Sequence, residues 1–148
     1  MRRLLLILFI GALFISTNHV LALPLEINDC EELQLIGNDV GYPLTGDYTL
    51  GNDIDCSMTN PADLDWDNGG TWASGEGFFP IGIDGVGTAF TGTLDGQGFV
   101  ITGLFIDDGS LDEVGLFGAT FGAGISNIGL EDVDISSTYG AYIGTLTG

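Results

Sequence analysis

From residue 85 onward, apolar side chains in this chain come only in short stretches, at 90–94, 99–106, 114–117, 125–130, 133–135 and 142–146, with Gly, Asp, Asn and Ser between them. Nowhere does their spacing follow the 3.6-residue period that lets one face of a long helix be buried. Short apolar runs bounded by turn residues read as strands, so the predicted class is all-β. The spacing also repeats. Ile101, Leu104 and Ile106 have the form I-x-x-L-x-I, and Ile125, Ile128 and Leu130 restate that spacing 24 residues later. Val114-Gly115-Leu116-Phe117-Gly118 is echoed by Ile143-Gly144-Thr145-Leu146, 29 residues on. A period of this size with Gly at the corners predicts a solenoid, in which each coil lays its strands on those of its neighbour. A β-sandwich of meander strands is the competing arrangement.

The first part of the chain has a different texture. Asn28 can cap a short helix over 29–36, with Leu33 and Ile36 on one face and Glu31 and Glu32 in the first turn, where acids suit the helix dipole. Gly37 stops it, and 39–46 is turn-like. Tyr48, Leu50, Ile54 and Cys56 fall on alternate positions, which predicts a half-buried strand running into the cysteine. Residues 57–77 form a long polar loop rich in Asp, Asn and Gly, and 78–83 a short strand interrupted by Pro80. With 45% apolar and 10% aromatic residues spread evenly, the chain can bury a core and reads as one domain.

Charge and compartment narrow the function. Met1-Arg2-Arg3, an apolar run over 4–15 and the small-residue end Val20-Leu21-Ala22 make a secretory signal, so 1–22 is read as a leader and 23–148 as the mature domain, beginning at Leu23. An uncleaved N-terminal anchor is the competing reading. Arg2, Arg3 and His19 all fall in the leader, which leaves 21 Asp and Glu in the mature part and no Lys, Arg or His. Nucleic acid and anionic membranes are excluded as partners, because phosphate binding rests on Lys and Arg. Ser-His-Asp and Cys-His catalysis are excluded with them. Cations, basic proteins and neutral glycans remain, and the uncompensated repulsion predicts a need for high salt or calcium. Export also changes how Cys30 and Cys56 read. In an oxidising compartment an isolated pair forms a disulfide, although two buried thiols would satisfy the composition equally.

Several segments together resemble the GLUG-repeat class of secreted proteins. They are Phe79-Pro80-Ile81-Gly82, Phe90-Thr91-Gly92-Thr93-Leu94-Asp95-Gly96-Gln97-Gly98, Ile101-Thr102-Gly103-Leu104-Phe105-Ile106, Val114-Gly115-Leu116-Phe117-Gly118 and Ile125-Ser126-Asn127-Ile128-Gly129-Leu130. Cys30-Glu31-Glu32-Leu33-Gln34 and Asp53-Ile54-Asp55-Cys56-Ser57 resemble the lead-in of such proteins. The resemblance implies a right-handed parallel β-helix of pectate-lyase-like architecture, with an N-terminal cap region over 23–77 and coils over 78–148. It implies a cell-surface or secreted adhesin-like scaffold and brings no catalytic residues with it. Solenoid ends need a polar cap. None is visible before Gly148, so the set of coils is read as incomplete and the protein as continuing beyond it.

Candidate sites are few. Asp63, Asp65 and Asp67, followed by Asn68-Gly69-Gly70, alternate as carboxylates do in calcium loops. Position six is Asn68 rather than Gly, the twelfth is Ser74, and Glu76 comes two residues late. A solvated acidic insertion is the competing reading. Trp66, Trp72, Phe78 and Phe79 form either an aromatic recognition patch for protein or neutral glycan, or a small core under the loop. Asp53 and Asp55 point outward together if Ile54 points in, and are read as turn chemistry. Asp107-Asp108 and Asp112-Glu113 are read as solvated turns. The function that follows is a non-catalytic exported scaffold. The alternative is a calcium-dependent carbohydrate-binding module, or an accessory part of a carbohydrate-active β-helix enzyme.

Overall fold

The computed structural model describes residues 23–148 except 64–69, 73, 86 and 139–141. The expected leader, 1–22, lies outside the described residues. The domain is all-β, with one short helix. Strand β1 is Leu25–Ile27, and helix α1, Cys30–Leu35, follows at once. Strands β2 (Asp47–Leu50) and β3 (Ile54–Asp55) lead to a single 3-10 turn, Ser57–Thr59. The remainder is β4 (Thr93–Asp95), β5 (Val100–Thr102), β6 (Phe105–Asp107), β7 (Glu113–Val114), β8 (Gly124–Ser126), β9 (Gly129–Glu131), β10 (Asp134–Ser136) and β11 (Tyr142–Ile143).

Every pairing between these strands is parallel. They form four ladders, β1-β2-β4-β8, β3-β5-β9, β6-β10 and β7-β11. A meander sandwich would pair neighbouring strands antiparallel, so that arrangement is set aside. Equivalent apolar positions stack on one another. Tyr48 lies on Leu94 and Leu94 on Ile125, while Ile54 lies on Ile101 and Ile101 on Leu130. Isolated bridges from Ile81 to Phe117 and from Phe117 to Thr147 extend the pattern.

The register corrects one reading of the repeat. Ile101 pairs with Leu130, Ile106 with Ile135 and Val114 with Ile143, so these three pairs repeat at 29 residues, the separation also bridged by the Ser136 hydroxyl donating to Asp107, while Leu94 pairs with Ile125 at 31. The 24-residue echo of Ile101 in Ile125 is not a structural equivalence, because Ile125 belongs to the first ladder. Leu130, Val133 and Ile135 match I-x-x-L-x-I in apolar character as well as Ile125, Ile128 and Leu130 do. The corner before β5 decides between the two. There the Gly96 and Gly98 amides donate to the Ser126 and Asn127 carbonyls, and Asn127 donates its side-chain amide to Asp95 Oδ1 at 3.0 Å. The Gln97 amide, and then Asn127, hold the Asp95 carboxyl below its ordinary range.

The predicted strand through 48–56 is two strands, broken at Gly51, whose amide donates to the Ile27 carbonyl. The helix is capped by Asp29 rather than Asn28. Asp29 Oδ1 accepts from the Glu32 amide at 2.7 Å, and Glu32 Oε2 accepts from the Asn28 amide at 2.8 Å, a reciprocal capping box. Gly37, at φ +85°, ends the helix as expected. The predicted strand at 78–83 is reduced to the single bridge at Ile81. One apolar cluster receives side chains from all four ladders and from α1. Through it runs a line of rings, Tyr42, Tyr48, Phe90 and Phe117, the last two with centroids 5.0 Å apart.

Cys30 and Cys56 are joined, as expected, with Cα atoms 5.3 Å apart. The bond ties the first turn of α1 to the end of β3 inside the core, where both cysteines are buried.

Candidate functional site

A cleft of about 630 Å³ lies between α1, residues 71–72 and 74–79, and the residue after β6. Its walls are set by local structure. The capping box points α1 so that Leu33 and Gln34 face the body and Glu31 faces the cleft. On the other side the 76–78 segment runs along β6. The Asp107 amide donates to the Glu76 carbonyl at 2.8 Å, and the Phe78 amide to the Phe105 carbonyl at 2.9 Å. Gly77, at φ +81°, makes this approach possible, since a Cβ there would collide with the Phe105 carbonyl.

Gln34 is the hinge between the two walls. Its Oε1 accepts from Trp72 Nε1 at 3.0 Å and from the Phe79 amide at 2.8 Å, and its Nε2 donates to the Phe79 carbonyl at 3.0 Å. A buried amide with both ends occupied fixes its neighbours, because leaving any of these groups unpaired would cost about 1–3 kcal/mol. Trp72 is 2% exposed and Phe78 is buried, so these two follow the small-core reading rather than that of a free recognition face. Phe79 is 41% exposed at the cleft.

The polar lining is acidic. Asp29, Glu31, Glu32, Glu76 and Asp108 all border the cleft. Asp29 and Glu32 are engaged in capping. Asp108 departs from expectation. The sequence places it with Asp107 in a solvated turn, yet Asp107 is exposed and Asp108 is only 5% exposed. The alternation of β6 carries on past its end and turns Asp108 inward. Its Oδ1 accepts from the Ser110 amide at 2.7 Å and from the Ser110 hydroxyl at 2.6 Å, and its Oδ2 has no partner among the described residues.

The other expected sites are placed as follows. Asp63 is half-buried, while Asp65, Asp67 and Trp66 lie outside the described residues. Among the described residues no three His, Cys, Asp or Glu side chains are grouped to hold a metal ion. Asp53 and Asp55 do turn chemistry: Asp53 accepts from the Val100 amide and Asp55 from the Ser57 amide, with Ile54 buried between them. The sequence reading gives Gln34 no role of its own and gives Asp108 only that of a solvated turn residue. For Gln34 the only signal was a polar residue beside Leu33 on the inward side of an amphipathic turn. For Asp108 it was alternation counted one step beyond the strand.

Similarity to known proteins adds one relationship. The chain is 39% identical over 126 residues to halomucin from Haloquadratum walsbyi. The match takes in 84% of this chain and about 1% of the length of that curated relative. No protein-family model and no solved structure matches. No helix among the described residues is long and apolar enough to cross a membrane.

Proposed function

We propose that this chain is an exported, non-catalytic surface scaffold of adhesin type, built as a right-handed parallel β-helix of the GLUG-repeat kind. The observation that carries the reading is the register. All strand pairings are parallel, and equivalent apolar positions recur on top of one another around a single core. Parallel strands in one sheet need a crossover, and such crossovers are right-handed in about 98% of cases. Stacked coils make a rigid, laterally exposed surface that loops can use to touch protein or neutral glycan.

Two further observations support it. The leader-like start accords with export. The mature part holds no Lys, Arg or His to act as a base, activate a nucleophile or clamp an anionic substrate. The name of the relative, halomucin, fits an extracellular chain.

The test is expression with the leader in an exporting host, followed by assay of the purified product. N-terminal sequencing should begin near Leu23, and binding to immobilised glycans or matrix proteins should occur without release of product. Glycan turnover abolished by a single Asp or Glu substitution would overturn the reading, as would intact Met1 confined to the cytosol. Glycan binding lost on calcium chelation and on Asp65→Ala would replace it with the calcium-dependent module.

A further inference from the structure

We propose that the cleft beside α1 binds an organic cation, a guanidinium or alkylammonium group supplied from outside this chain. Its volume, about 630 Å³, is that of a small-molecule or side-chain site. Glu31 and Glu76 line it with no hydrogen bond to their carboxylates from any described residue. Asp108, also on the lining, is 95% buried, its Oδ1 held by the Ser110 amide and hydroxyl and its Oδ2 without a hydrogen bond from any described residue. A carboxylate taken out of water in this way calls for a positive partner. Residues 23–148 provide no such side chain, since no Lys, Arg or His occurs after His19.

The geometry favours an organic cation over a metal. No three carboxylates among the described residues are grouped for coordination. The acids instead flank an aromatic wall, with Phe79 41% exposed and Trp72 behind it. A guanidinium suits that combination, because its planar fork meets carboxylates edge-on and aromatic rings face-on. The Gln34 hydrogen bonds hold the wall in place before any ligand arrives.

The test is calorimetry on the purified chain with N-acetyl-arginine amide, its neutral citrulline counterpart, calcium chloride and cellobiose. The arginine amide should bind and the citrulline amide should not. Glu31→Gln and Glu76→Gln, both at exposed positions, should each weaken binding by about fivefold. Asp108→Asn should weaken it more, and Asp134→Asn, on β10 away from the cleft, should leave it unchanged. A Gly-Arg-Gly peptide that binds no worse than the amide assigns the cation to a protein partner. A peptide that fails where the amide succeeds assigns it to a free small cation. The proposal is overturned if the arginine amide does not bind, or if Asp134→Asn weakens binding as much as the cleft variants do. It is also overturned if calcium or cellobiose occupies the cleft in preference.

Discussion

Tyr48 shows how one side chain carries both structure and a measurable consequence. Its ring is buried in the line of aromatics, and its hydroxyl donates to the Pro43 carbonyl at 2.7 Å. Burial, and then the charges of Tyr42 and Asp47, push the phenol up to about 12. The neutral form is therefore favoured in the fold. The stability this contributes is fully present below the ordinary tyrosine value of about 10 and is lost as the pH rises through about 12. Alkaline titration followed by absorbance should show one of the four tyrosines ionising last, together with unfolding, and Tyr48→Phe should remove that step. A single titration of all tyrosines near the ordinary value would contradict the burial.

Elements this short cannot hold themselves together. Among the described residues no strand exceeds four residues, and α1 has six, below the length at which an isolated helix persists in water. Their stability comes from stacking and from the disulfide, which ties α1 to β3 across a separation of 26 residues. The loop-entropy relation gives about 3.5 kcal/mol for closing a loop of that size. Cys30→Ser with Cys56→Ser should lower the unfolding free energy by about 3 kcal/mol in urea titrations. An unchanged midpoint would mean that α1 is held by packing alone. The ladder register belongs to this scale as well. Apolar alternation permitted offsets of 24 and 29, and the Asp95–Asn127 corner selects the longer one.

At the scale of the molecule, charge is the dominant unresolved strain. Residues 23–148 hold 21 carboxylates and no cationic side chain, so no ion pair between their side chains offsets the repulsion. Salt shortens the Debye length from about 8 Å at physiological strength to about 3 Å at 1 M. Thermal midpoints should therefore rise steadily with sodium chloride up to molar concentrations. A midpoint insensitive to salt would show that the carboxylates are spaced widely enough for their repulsion to be negligible. The cleft is the place where several of these charges meet an aromatic wall, which makes it the natural point for a cation to bind.

The all-β class, the helix with its Gly37 stop and the cysteine pair were legible in the residues. Each rests on local chemistry: alternation of apolar positions, and capping and turn propensities. The Val114–Ile143 echo at 29 residues was legible and is a strand pairing, whereas the pairing of Ile101 with Leu130 rather than Ile125, the inward turn of Asp108 and the occupation of Gln34 were not. Those depend on which strand lies beside which, and a two-residue alternation fits several neighbours equally well. Corner hydrogen bonds and the volume left inside the core then select one arrangement.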